Sequence, residues 1–291
     1  MSNYNYCTPK EITQNTLEVG LVKSRMDITK MVLLGVLAGA YIGFGAEGST
    51  MATHDIPSLG LGRFLGGAIF ATGLMMVIIC GAELFTGNVL ITIGVLEKRV
   101  SVFTMLQNWF WVYGGNLIGS LLIAYFMYAS NLWSFNNSLH GAYVLKIAVG
   151  KVSLTFYEAF IRGIMCNWLV CLAVWMAYSA KDIVGKVWGI FFPIMLFVTS
   201  NFEHSIANMY YLTAGLLAKS VPALAEASHL GAKLNMLNLE TIIIGNLLPV
   251  TLGNIVGGAF FVGSYYWYCY MRAPGAAPVT AAENRETLCI K

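Results

Sequence analysis

Long apolar runs alternate along this chain with short polar ones. Six of them reach or approach the ~20 residues that cover ~30 Å of hydrocarbon as a helix. They lie at roughly 30–47, 66–96, 105–129, 157–179, 187–218 and 241–271. The second and fifth are long, and polar residues interrupt each, at Gly81–Asn88 and Asn201–Asn208. Helices broken at membrane depth are tolerated only where the freed backbone faces protein or lines a cavity. The pattern therefore predicts an all-α integral membrane protein of six transmembrane helices, two of them broken, forming one pore domain over 30–271.

The flanks read differently. Residues 1–29 are polar, and after Pro9 they carry a loose apolar stripe of Ile12, Leu17, Val19, Leu21 and Val22. This predicts an amphipathic helix at the membrane surface, not a compact signal peptide. Residues 272–291 hold Ala, Pro and scattered charges, the composition of a disordered tail.

Composition agrees with the spans: 57% of the residues are hydrophobic, 11% are charged, and mean hydropathy is +0.68. The net charge of +3 is too small and scattered to suggest nucleic acid. With the N-terminus inside, eleven Lys and Arg fall on inner segments against five on outer ones, so the positive-inside rule places both termini in the cytoplasm. Loops 48–65 and 219–240 then face outward. The six cysteines show no Cys-x-x-Cys spacing, which suggests neither a disulfide framework nor a zinc site.

The two halves repeat. Gly81-Ala82-Glu83-Leu84-Phe85-Thr86-Gly87-Asn88 aligns with Asn201–Asn208, setting Glu83 on Glu203 and Asn88 on Asn208. Gly115-Asn116-Leu117-Ile118-Gly119 aligns with Gly253-Asn254-Ile255-Val256-Gly257. Three spans per half is an odd number, so the second half enters from the opposite side and the 3+3 repeat is inverted. In such folds the interrupted helices meet near the midplane and build the substrate site there.

The polar residues within the spans are the candidate chemistry, since ionisable groups at that depth are costly. Glu83 and Glu203, with Asn88 and Asn208, can take up the N–H groups of the broken backbone, or touch a solute; bracing is the simpler role. His204 breaks the repeat, because Leu84 lies opposite it. It is either a satisfied buried group or an imidazole able to exchange a proton or donate to an anion. Thr86, in the matching break, is its natural hydroxyl partner. Asn167 lies well inside the fourth span and needs a partner, Arg162 can snorkel from near its start, and Lys151 is either a solvated charge or a lure at a pore mouth. No GxxxxGK[ST], HExxH, GxSxG or Cys/His ligand cluster occurs, so ATP-driven pumping, an enzyme and a metal or cofactor site all lack a signature. Transport remains.

These residues resemble a known family. Asn201-Phe202-Glu203-His204-Ser205-Ile206-Ala207-Asn208-Met209, Gly81–Asn88 and Cys166-Asn167-Trp168-Leu169-Val170-Cys171-Leu172-Ala173-Val174-Trp175 look like the formate/nitrite transporter family, from about Pro9 to Tyr270. The resemblance implies an aquaporin-like helical fold in an inner (plasma) membrane, a homopentamer with one pore per protomer, and permeation of small weak-acid anions, with protons as the coupled partner. Formate is favoured; nitrite, hydrosulfide, acetate and lactate are alternatives. It further implies that His204, Thr86, Asn167 and Lys151 line the pore, and that Phe70, Leu74, Leu84, Phe85, Val170 and Phe197 form apolar constrictions. An aquaporin-type water channel is the competing class, but it would carry paired Asn-Pro-Ala motifs, which this sequence lacks.

Overall fold

The computed structural model describes residues 5–272 and is helical almost throughout. The tail expected over 272–291 lies, apart from Arg272, outside the described residues. Helix α1 (Pro9–Ser24) begins at a capping box in which Thr8 and Glu11 bond each other's backbone N–H, with Pro9 in the first turn. Those Thr8 hydrogen bonds hold the Glu11 carboxyl below its ordinary pKa. Of the apolar stripe on α1, Ile12, Leu17 and Leu21 are buried in the core, whereas Val22 is 69% exposed. The stripe is spent largely on protein contacts.

Helices α2 (Ile28–Thr53) and α3 (Leu59–Ile79) follow, and then the short α4 (Phe85–Asn88) leads through a 3-10 turn into α5 (Thr92–Leu96). The long α6 (Val102–Ala129) closes the first half; α7 (Leu139–Val152) opens the second, followed by α8 (Phe156–Ser179) and α9 (Ile183–Thr199). Then come α10 (Ser205–Lys219), α11 (Pro222–Ser228) and a last helix running from Thr241 to Tyr270. That helix holds regular turns at α12 (Leu248–Ile255) and α13 (Tyr265–Tyr270), with π-helical turns over Thr241–Leu247 and Val256–Ser264.

Among the described residues, five helices are long and apolar enough to cross a membrane: Ile28–Thr53, Leu59–Ile79, Val102–Ala129, Phe156–Ser179 and Thr241–Tyr270. The run read from sequence as a fifth span interrupted at Asn201–Asn208 is two helices, of 17 and 15 residues, because the backbone turns at Ser200–Asn201. The run from 66 to 96 is likewise divided after Ile79. The stretch read as an outer loop before the fourth span contains the whole of α7. Its buried Val144, Leu145, Ala148, Val149 and Val152 lie on one helical face, a helical period in a run too short to register as a span.

Both divided segments end in the same way. Gly81 (φ 78°) and Asn201 (φ 59°) are left-handed. The following N–H groups reach back five residues, Ala82 to the Val77 carbonyl at 2.9 Å and Phe202 to the Phe197 carbonyl at 3.1 Å. That is a Schellman cap, and glycine and asparagine are the residues that tolerate its left-handed position. Small residues then bring the long helices together. A Cβ on Gly115 would meet the Val32 carbonyl oxygen at 2.6 Å, and one on Gly163 would meet that of Val250 at 2.7 Å. The crossings of α2 with α6 and of α8 with α12 thus run backbone to backbone. Among the described cysteines, Cys80, Cys166, Cys171 and Cys269 are free thiols.

Candidate functional site

After each cap the chain runs extended for a few residues before the next helix begins, so buried backbone groups there need partners from elsewhere. An asparagine from a distant helix supplies them in each half. Asn116 Nδ2 donates to the carbonyls of Gly35 (2.8 Å) and Glu83 (2.9 Å), and its Oδ1 accepts from the Phe85 N–H at 2.9 Å. Asn254 Nδ2 donates to the carbonyls of Gly163 (2.8 Å) and Glu203 (2.9 Å), and its Oδ1 accepts from the Ser205 N–H at 2.8 Å. The two sets match bond for bond.

A second matched network surrounds the carboxylates. In the first half, Lys23 Nζ contacts Glu83 Oε1 (2.8 Å) and Asn88 Oδ1 (2.9 Å). Asn88 Nδ2 donates to Glu83 Oε2 (2.7 Å) and Asn108 Oδ1 (2.9 Å), and Asn108 Nδ2 returns to the Lys23 carbonyl at 3.1 Å. In the second half, Lys151 Nζ lies 3.1 Å from both oxygens of Glu203. Asn208 Nδ2 donates to Glu203 Oε2 (2.6 Å) and Asn246 Oδ1 (2.7 Å), and Asn246 Nδ2 returns to the Lys151 carbonyl at 3.0 Å. Each buried carboxylate is therefore paired and hydrogen-bonded, the condition under which such a charge is tolerated.

Between the two breaks lies the asymmetric pair. His204 Nε2 is 3.0 Å from Thr86 Oγ1, and His204 Nδ1 accepts from the Ala207 N–H at 3.1 Å, capping α10. A backbone N–H only donates, so Nδ1 is the bare nitrogen and Nε2 carries the proton toward Thr86. The ring stacks near Phe197, with centroids 6.0 Å apart, and Phe197 meets Phe70 edge-on at 5.6 Å. Asn167 Nδ2 donates to the carbonyls of Thr86 (3.1 Å) and Asn254 (2.7 Å). Its Oδ1 is buried without a hydrogen-bond partner among the described residues.

A cavity of about 470 Å³ opens onto His204 and is lined by Phe70, Phe197, Glu203 and Asn208 among others. The charged side chains along it are four cations, Arg63, Lys146, Lys151 and Arg162, against one carboxylate, Glu203. Such a wall favours anions. Leu74, Leu84, Phe85 and Val170 are buried but do not border that cavity; Phe85 packs edge-on against Trp109 (6.0 Å) and Tyr113 (5.0 Å). Gly258 leaves room for the site, since a Cβ there would strike Val89 and approach Asn167 Nδ2 and Cys171 Sγ, each at 2.7 Å. Gly258→Ala is expected to displace Asn167 at a cost of about 1–3 kcal/mol, typical of overpacking. Thermal unfolding in detergent checks it, and an unchanged midpoint would count against the contact.

Lys23, Asn108 and Asn246 were not picked out as site residues from sequence. Equal spacings carried the signal: Lys23 and Lys151 each stand 12 residues before Gly35 and Gly163, and Asn108 and Asn246 each stand 8 before Asn116 and Asn254.

Comparison with known proteins decides the family, because the formate/nitrite transporter model matches residues 10–268. The chain belongs to the formate/nitrite transporter family. It is 39% identical over 289 residues to a probable formate transporter of Methanothermobacter thermautotrophicus, covering 92% of this chain and 98% of that one. It is 35% identical to the formate channel FocA of Escherichia coli K12, covering 92% and 96%. Among solved structures it resembles a pentameric formate channel with formate bound (TM-score 0.76, 39% identity, 84% and 97% of the two chains). It also resembles a formate/nitrite transporter family ion channel (TM-score 0.75, 30% identity, 89% and 98%). The family's transporters and channels span membranes, and the five long apolar helices fit that class.

Proposed function

We propose that this chain conducts small monovalent weak-acid anions, formate first among them, together with a proton, through a pore at the Thr86–His204 pair. The observation that carries the reading is this buried pair between two matched polar networks, at the end of a cavity whose wall is rich in cations. Formate suits it by size and charge, and both relatives described above are named for formate. The arrangement is read as a six-helix inverted 3+3 repeat with two broken helices, aquaporin-like and assembled as a pentamer in the plasma membrane. The Lys and Arg distribution supports a reading with both termini in the cytoplasm.

In this reading the cations draw the anion into the cavity, where Lys151 acts as one member of a pair with Glu203 and not as an isolated charge. Phe70 and Phe197 then exclude water, with Leu74, Leu84, Phe85 and Val170 narrowing the path beyond. A bare anion crossing such walls loses hydration at a cost of several kcal/mol, roughly, whereas the neutral acid does not. His204 offers its Nε2–H as a hydrogen bond and keeps it. A second proton would set an N–H against the Ala207 N–H, and giving up the only proton would leave an imidazolate. The Thr86 hydroxyl accepts from His204 and has its own hydrogen to donate to a passing acid, while Asn167 Oδ1 can accept one. The proton that neutralises the anion then comes from the cavity side. Glu83, Asn88, Glu203 and Asn208 hold the divided backbone.

The test is flux in proteoliposomes. Inward formate gradients should acidify the lumen, with little osmotic water flow. Water flow without formate-driven acidification would overturn the reading in favour of an aquaporin-type channel.

A further inference from the structure

A second buried titratable cluster lies where α2, α7 and α10 meet. Glu47 of α2 is 8% exposed and His140 of α7 is 0% exposed. His140 Nε2 stands 3.1 Å from Glu47 Oε1, an oxygen without another partner among the described residues. Glu47 Oε2 accepts from the Tyr210 hydroxyl of α10, and from Thr50 Oγ1 at 3.4 Å.

The ring's other nitrogen settles the proton count. His140 Nδ1 lies 3.3 Å from the Leu132 carbonyl, which only accepts, so Nδ1 carries a hydrogen. Two lone pairs facing each other at 3.1 Å would repel, so a further proton is held between Nε2 and Oε1. Loaded, the pair is formally neutral; unloaded, it carries one negative charge. Among its neighbours, His54 Nδ1 lies 2.7 Å from the Met51 carbonyl and its Nε2 3.1 Å from Asn136 Nδ2. The same Asn136 amide reaches Asp55 at 3.4 Å. Tyr143 of α7 and Tyr211 of α10 lie beside the cluster, and Lys151 sits 5.2 Å over the Tyr211 ring. Lys146, Arg63, Arg162 and Glu203 line the neighbouring cavity.

The cluster also touches the pathway. Thr50 Oγ1 is 3.5 Å from His140 Nε2, and the His54 ring is 5.4 Å from the His140 ring. Thr50 and His54 line the same cavity as Lys151 and His204.

We propose that Glu47 and His140 form a second proton-binding site, separate from His204, whose loading sets the charge just behind the cavity wall and with it the affinity for the anion. This rests on the anion-transport reading above. As the pH on the cavity side rises and the pair loses its proton, a negative charge appears beside an otherwise cationic cavity. The apparent KM for formate should then rise by roughly tenfold, the order expected of a unit charge acting over ~10 Å at an effective dielectric constant of ~20. Below the transition the pair is neutral and KM is flat.

Glu47→Gln keeps hydrogen bonds to His140 and Tyr210 but cannot change charge in this way. It should flatten the rise of KM with pH while leaving uptake at acidic pH within about twofold, as expected when a surrounding network is retained. Tyr210→Phe removes a donor to the carboxylate, so the proton is held more tightly and the transition should move to higher pH. Both are read as formate uptake into proteoliposomes across a range of outer pH, against the unmodified protein. Glu47→Gln with the unmodified KM profile overturns the proposal. If that variant does not fold, Tyr210→Phe decides: an alkaline shift supports the site, and an unmoved transition overturns it. Should the unmodified protein carry no formate, the transport reading fails on its own. The proton site is then judged by infrared spectroscopy: a carboxyl or imidazolium signal that titrates and vanishes in Glu47→Gln supports it, and none overturns it.

Discussion

Asn254→Leu is expected to lower the yield of folded protein sharply. The side chain is 0% exposed. It satisfies the carbonyls of Gly163 and Glu203 and the N–H of Ser205 at 2.8–2.9 Å. Leucine fills a similar volume and satisfies none of them. The Glu203 carbonyl and the Ser205 N–H are left unpaired, while the Gly163 carbonyl keeps its helical bond within α8; at ~1–3 kcal/mol each the sum is about 2–6 kcal/mol. Against a typical net stability of ~5–15 kcal/mol this is a large share of the margin. Asn116→Leu should do the same, since Asn116 serves Gly35, Glu83 and Phe85 with an equivalent set of bonds. The measurement is the yield of monodisperse protein in mild detergent and its thermal midpoint. A variant that purifies and melts like the parent would show that these backbone groups find other partners.

The sequence made Asn116 and Asn254 visible through the Gly-Asn repeat, but assigned them no role. Periodicity describes one helix at a time, and the bonds of Asn254 join residues 51 and 91 positions apart. Lys23 shows the same limit. Near the end of a polar N-terminal segment it reads as a juxtamembrane charge, and only the fold brings it to Glu83, 60 residues on. The spans were legible because apolar length is a local property. The divisions at Gly81 and Asn201 were legible as polar interruptions, while the Schellman geometry that makes them alike was not, because glycine and asparagine look unrelated until both are found left-handed. Helix α7 was missed for the opposite reason, being too short to register as a span and too apolar to be a loop.

The site followed the same division. Thr86 and His204 could be paired in advance because the internal repeat lays one break over the other, and they meet at 3.0 Å. The tautomer could not be read from sequence, since it depends on the Ala207 N–H within the helix that His204 begins. Glu47 and His140 gave no sequence signal as a pair, being 93 residues apart on segments that look like a span end and an outer loop.

His204→Leu is expected to lower formate flux by about 10–100-fold, the kinetic equivalent of ~1.5–3 kcal/mol for a lost hydrogen bond to a charged or strongly polar group. Leucine reproduces what stands opposite at Leu84, so the helix can still begin there. It removes the Nε2–H that polarises Thr86 and the acceptor that caps the Ala207 N–H. His204→Asn separates these two roles. Asparagine is a strong N-cap and can keep the Ala207 bond, but it is too short to hold Thr86. If capping were the whole function of His204, Asn would restore the flux. If the donor to Thr86 matters, His204→Asn and Thr86→Val should lose similar fractions of the flux while melting near the unmodified temperature. Lumenal acidification driven by formate, measured across pH for all three variants, decides between them. A His204→Asn protein with unmodified rate, pH dependence and anion selectivity would remove the imidazole from the transport step and leave it a helix cap.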